Sequence, residues 1–159
     1  MLTSPSDMPS LHSIRDFYQL TDRGATSGQP TLEQCRWIAD AGYQAVINLA
    51  DTSDVPAGEP ETWLALGLSY THIPVAWQQP MLGDALQVFD AVRKHDRENL
   101  YVHCVANRRV SAFMYVYRVT QLGMPEPEAR RDLNQLWEPN PIWQRWIDEV
   151  MHHFNRAGG

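Results

Sequence analysis

Apolar positions along the chain fall into short runs and longer periodic stretches that take turns from about residue 14 onward. Residues 1–13 are polar and rich in Ser and Pro, which predicts a flexible lead-in before one folded domain over 14–159. Phe17 to Leu20 opens as a short strand, and SGQP at 27–30 reads as a turn. Thr31 and Gln34 have the spacing of a capping box, in which each side chain satisfies a free N–H at a helix start. That helix is expected to carry Leu32, Cys35, Ile38 and Ala39 inward and to end at Gly42. Ala45 to Leu49 is a β-rich run of the kind buried in parallel sheets. A polar loop from Asp51 to Pro60 leads to a short helix ending at Gly67, and Leu68 to Val75 gives a further strand.

Asp84 to His95 has helical spacing, with Leu86, Val88, Phe89 and Val92 inward. Leu100 to His103 is the next strand, and Val110 to Leu122 is apolar nearly all round, which predicts the most buried helix. Pro125 and Pro141 open two more helices, the second presenting Trp143, Trp146, Ile147 and Val150. Trp137, Trp143 and Trp146 are expected to pack the core, with one indole a candidate for bordering a pocket. Strands alternating with helices predict an α/β fold: a central, mostly parallel sheet of four to five strands with helices on both faces. Ligands of such sheets bind beyond the carboxyl ends of the strands. The segment that follows Leu100–His103 is Cys-Val-Ala-Asn-Arg-Arg.

A cysteine between a strand end and a helix start sits in the positive potential of unpaired N–H groups, which favours its thiolate. A tight turn directs several N–H groups at one oxyanion, and Asn107 tolerates the left-handed backbone such a nest needs. Arg109 adds a two-pronged donor matched to phosphate oxygens. Arg108 is placed to steer an anion or to be a solvated neighbour. His103 is placed to tune Cys104 or to bond a backbone carbonyl, and Ser111 to assist the thiolate or to bond its own helix turn. On residues alone, Cys104 as a buried thiol and Arg109 as a salt-bridge partner stay open. Cys35, on an apolar stripe, reads as a core residue.

Composition narrows the picture. A net charge of −6 argues against nucleic-acid or anionic-membrane partners, so an anion site must concentrate its own positive potential. The N-terminal residues do not have the pattern of a signal peptide, and no apolar run is long enough to span a bilayer. Both cysteines are therefore expected as free thiols in the cytoplasm. No motif calls for a metal or other cofactor, and His152 and His153 read as a polar helix end. The pattern does not set an oligomeric state.

The segment HCVANRRVSAF resembles the signature loop of cysteine-dependent protein tyrosine and dual-specificity phosphatases, which read HC, five residues, then Arg. Only four residues separate Cys104 from Arg109, a spacing that resembles a bacterial dual-specificity-like branch long catalogued as a domain of unknown function. SGQPT at 27–31, GYQAVINL at 42–49 and GLSYTHIPV at 67–75 fit that branch in order. The resemblance implies a phosphatase-like domain over 14–159 and a phosphomonoester hydrolase acting through a cysteinyl phosphate. Cys104 would be the nucleophile, Arg109 and the loop residues His103, Val105, Ala106, Asn107, Arg108 and Ser111 the phosphate site, and a phosphorylated protein or small phosphoester the partner.

Two positions depart from the branch. Asn107 stands where Gly is usual, and Ala76 stands where dual-specificity-like enzymes tend to place the aspartate that protonates the leaving oxygen. Asp84 is the first candidate to replace it, alternatively a helix cap, with Asp51 and Asp54 behind it. Two other functions remain open: a phosphate- or phosphoprotein-binding module that lost its acid, and a rhodanese-like sulfurtransferase with a persulfide on Cys104.

Overall fold

Strands and helices follow one another nearly in alternation in the computed structural model, which describes residues 10–158. In chain order the elements are β1 (Tyr18–Gln19), β2 (Gly24–Ser27), α1 (Leu32–Asp40), β3 (Ala45–Asn48), α2 (Glu59–Ala65) and β4 (Ser69–His72). They continue with α3 (Leu82–Lys94), β5 (Leu100–His103), α4 (Arg108–Leu122), α5 (Glu126–Asn134) and α6 (Pro141–Gly158). One sheet has the order β1-β2-β5-β3-β4, parallel throughout except for the antiparallel β1–β2 pair. The expected α/β fold, with a mostly parallel sheet covered on both faces, is the one observed.

The two faces divide by residue parity. Ile47 and Val102 point to one side, where Phe89 of α3, Phe113 of α4 and Trp143 and Trp146 of α6 pack with them. Val46 and Tyr101 point to the other, against Ile38 of α1 and Trp63 of α2. All four residues of β3 and of β5 are buried, as two covered faces require. The capping box is present: Thr31 Oγ1 accepts from the Gln34 N–H, and Gln34 Oε1 accepts from the Thr31 N–H.

Three expectations about local structure need correction. The short strand β2 is not among the expected elements, and its last residue, Ser27, is the first of the expected turn at 27–30; Gly-Ala-Thr-Ser has little strand propensity, and pairing with β1 and β5 on either side makes it a strand. Leu86 is exposed, because the buried stripe of α3 runs through Ala85, Val88, Phe89 and Val92 and leaves Leu86 one position off it. Leu32, the first residue of α1, is exposed as well. Of the expected lead-in, residues 1–9 lie outside the described part, and Leu11–Ser13 form a single 3-10 turn. Among the described residues no helix is long and apolar enough to cross a membrane.

Candidate active site

The strand–loop–helix at 100–122 is held from both sides because β5 is the middle strand of the sheet. The Leu49 N–H donates to the His103 carbonyl at 2.9 Å, and the Cys104 N–H donates to the Ser27 carbonyl at 3.3 Å. Gln29 N–H donates to the Val105 carbonyl at 3.0 Å. Gly28 lies so close that a Cβ there would stand 2.4 Å from the Val105 oxygen; only glycine fits. Asn107 then takes a left-handed conformation, φ 57°, which turns the chain into α4. Its Nδ2 donates to the Asp16 carbonyl and to Thr26 Oγ1, both at 2.9 Å. The first turn of α4 leaves the N–H groups of Arg108, Arg109 and Val110 without carbonyls of their own helix.

Cys104, Val105 and Ala106 line a cavity of about 340 Å³, together with Arg108 and Arg109 from α4. The rest of its wall comes from Asp51 and Asp54 after β3 and Trp77 after β4. Arg109 is buried; its Nη1 donates to the Val75 carbonyl at 3.0 Å and to Asp51 Oδ2 at 3.3 Å. Its guanidinium carbon lies 6.0 Å from the centre of the Trp77 ring. Arg108 is exposed and lies 5.7 Å over Trp137, whose ring packs 5.5 Å from that of Trp77. The cavity thus joins a thiol, two guanidinium groups and the positive end of a helix, a set suited to an oxyanion.

Behind the loop lies a pair that the sequence does not announce. Glu59, the first residue of α2, is fully buried, and its Oε2 accepts from His103 Nε2 at 2.7 Å and from Trp63 Nε1 at 2.9 Å. Its Oε1 accepts from Gln29 Nε2 at 2.8 Å. Burial pushes the Glu59 pKa up, but the bonds and charge from His103, with those from Trp63 and Gln29, outweigh it and hold the carboxyl below its ordinary range. The other His103 nitrogen lies 3.2 Å from the Cys104 carbonyl.

The structure sorts the expected residues. It brings Cys104, Arg109, Arg108, Val105 and Ala106 together around one cavity. His103 is fully buried behind the loop, where its ring bonds Glu59 and the Cys104 carbonyl. Asn107 shapes the turn, as its tolerance for left-handed backbone implies. Ser111 faces elsewhere, donating to the Arg108 carbonyl and accepting from Trp137 Nε1. Asp84 is not among the lining residues; Oδ2 accepts from the Met81 N–H at 2.9 Å, which makes it part of the α3 start. The indole bordering the cavity is Trp77, from AWQQP, whereas Trp143 is buried in the core. The only signal for Glu59 was an acidic first helical turn with a tryptophan four residues on, which many exposed helices share.

Residues 9–140 match the family described as DSP-PTPase phosphatase fused to NAD+ kinase. The chain belongs to this dual-specificity-type phosphatase family. A candidate phosphatase of the DUF442 type from Shewanella putrefaciens CN-32 is 31% identical, covers 91% of this chain and 96% of its own, and superposes with a TM-score of 0.80. Two more distant structures share the dual-specificity phosphatase fold. PTPMT1 in complex with PI(5)P has 14% identity, coverage of 90% and 99%, and a TM-score of 0.76. The core catalytic domain of the PP-IP phosphatase SIW14 from S. cerevisiae has 12% identity, coverage of 92% and 96%, and a TM-score of 0.70. No curated protein matches the chain. A dual-specificity-type phosphatase domain, not a sulfurtransferase, is therefore the frame for the Cys104 loop.

Proposed function

We propose that this protein hydrolyses phosphomonoesters through a cysteinyl-phosphate intermediate, with residues 14–159 acting as one phosphatase-like domain. The observation that carries the reading is the cavity in which Cys104 and the buried Arg109 meet at the N-terminus of α4. Cys104 sulfur attacks phosphorus, while the Arg109 guanidinium and the free N–H groups of the first helical turn hold the non-bridging oxygens. Water then cleaves the thiophosphate. PI(5)P bound to PTPMT1 and the PP-IP activity of SIW14 favour a compact phosphoester as substrate. Arg108, exposed at the rim, steers it. Two buried free thiols suit a reducing compartment, so the cytoplasm is the proposed location.

A second reading rests on one observation: the β4 loop brings Trp77, and no carboxylate, to the cavity. A domain that binds phosphate without turning it over would follow. One experiment separates the two. Hydrolysis of an aryl phosphate is abolished by Cys104→Ser, while inorganic phosphate still binds that variant. Arg109→Ala weakens phosphate binding or transition-state stabilisation by about 3 kcal/mol. Phosphate binding that depends on Arg109 without any wild-type turnover leaves the binding module; equal affinity in all three proteins removes the site altogether.

A further inference from the structure

Arg109 already has an acidic partner. Asp51 Oδ2 stands 3.3 Å from its Nη1 and lines the same cavity as Cys104. An oxyanion held between Cys104 and Arg109 therefore meets the Asp51 carboxyl at one guanidinium. Building on Cys104 as the nucleophile, we propose that Asp51 is the proton donor of the reaction: counter-ion of Arg109 before substrate arrives, and acid to the leaving oxygen once the phosphoryl group has taken that place.

The backbone around Asp51 supports this assignment. Leu49 and Ala50, directly before it, are fully buried. The Leu49 N–H bonds the middle strand, the Ala50 N–H donates to Asn48 Oδ1 at 2.9 Å, and His72 Nε2 lies 2.7 Å from the Ala50 carbonyl. Asp51 therefore springs from a fixed point, with a side chain 40% exposed and able to turn. The alternatives are placed worse. Asp84 is engaged at the start of α3, Ala76 has no proton to give, and Asp54 lies on an exposed single turn with Arg109 paired to its neighbour.

The charges facing Asp51 are Arg109 and Arg108 from α4, the Cys104 sulfur from the loop and Asp54 on its own turn; Trp77, after β4, is neutral. An ester entering as the monoanion brings the proton that the Asp51 carboxylate takes up as Arg109 turns to the phosphoryl oxygens. In the first step the sulfur–phosphorus bond forms as the ester P–O bond breaks, and the leaving oxygen keeps the electron pair and takes the Asp51 proton. In the second, the Asp51 carboxylate accepts a proton from water as its oxygen attacks phosphorus, and the sulfur leaves with the pair of the broken S–P bond.

The test compares an alkyl phosphate with 4-nitrophenyl phosphate, whose leaving group needs little protonation. Asp51→Asn is expected to slow the alkyl ester by ~100-fold or more and the aryl ester by less than ~10-fold, and to flatten the alkaline limb of the kcat profile. It is also expected to bind inorganic phosphate several-fold more tightly, because the competing carboxylate is gone. Asp51→Glu restores part of the alkyl turnover, and Asp84→Asn retains it; melting curves confirm that each variant is folded. Equal losses on both esters, unchanged phosphate affinity, or an alkyl-specific loss in Asp54→Asn but not in Asp51→Asn overturns the assignment. Cys104→Ser in the same assay separates the two ideas: turnover surviving there defeats the nucleophile, whereas a dead Cys104→Ser beside a normal Asp51→Asn defeats only the acid.

Discussion

The loops that follow β5 and β4 leave the same end of one sheet, yet they are held very differently. The β5 loop leaves a middle strand. Ser27, Gln29 and Leu49 bond it from both neighbours, and His103, Cys104 and Asn107 are essentially without exposure. The β4 loop leaves an edge strand, and its backbone bonds to the sheet run to one neighbour only, from the Ile73 and Val75 N–H groups to β3 and its extension. Its other ties are side-chain bonds, from Arg109 to the Val75 carbonyl and from Trp143 to the Trp77 carbonyl. Beyond Val75, Ala76, Gln78 and Gln79 are exposed and only Trp77 turns inward. The half of the cavity that carries Cys104 and Arg109 is therefore built into the sheet. The half that carries Trp77 is left to a segment at its margin, whereas Asp51 follows an interior strand.

Breaking the support of the β5 loop should have the largest effect. Glu59→Ala strips a buried histidine, an indole N–H and a glutamine of their shared acceptor and is expected to cost about 3–5 kcal/mol. In a domain of this size that lowers Tm by roughly 10 °C. Gln78→Ala, on the β4 loop, is expected to change stability by less than about 0.5 kcal/mol. Paired thermal melts check the contrast; comparable losses in the two variants would erase it.

A middle-sized effect sharpens the same comparison at one backbone angle. Asn107→Val puts a branched side chain at φ 57° and removes two hydrogen bonds, for an expected loss of about 2–4 kcal/mol. Asn107→Gly removes the bonds but suits the angle, so about 1 kcal/mol is expected. Denaturant titration distinguishes them, and a glycine variant as weak as the valine one would show that the side-chain bonds, not the angle, dominate.

These two positions also mark what the sequence makes legible. The Cys104–Arg109 spacing, the alternation of elements and the left-handed turn at Asn107 follow from local chemistry, because strand, turn and helix start are short-range events. The support at Glu59 was hidden, since nothing within α2 says that its first residue will meet a histidine 44 positions later. Strand β2 was hidden for the same reason: its partners, not its composition, define it. Asp51 and Asp54 were visible as carboxylates, but only packing shows that they, and not Asp84, reach the cavity. Leu86 failed because one position of helical phase decides between core and solvent.

The smallest expected effect is in the acid limb of stability. The folded-state pKa of Glu59 lies below its ordinary value near 4.5, so the carboxylate's contribution is fully present above that value. It is lost as pH falls through the lower, folded-state value. The gap in Tm between wild type and Glu59→Gln is therefore expected to be widest near neutrality and to narrow below about pH 4.5. A gap that holds constant into acid would mean the carboxyl enters the folded state already neutral.

The position of β5 has a consequence for how the chain is made. It is the last strand in sequence but sits between β2 and β3, which are synthesised well before it. As the chain emerges from its N-terminus, those two strands have no bond to each other and wait for the segment that joins them. The Cys104 thiol sits at the tip of that segment, one residue beyond its last strand position. It therefore takes up its cradle in the same event that closes the sheet, and no partly made chain can assemble the pocket without closing that sheet.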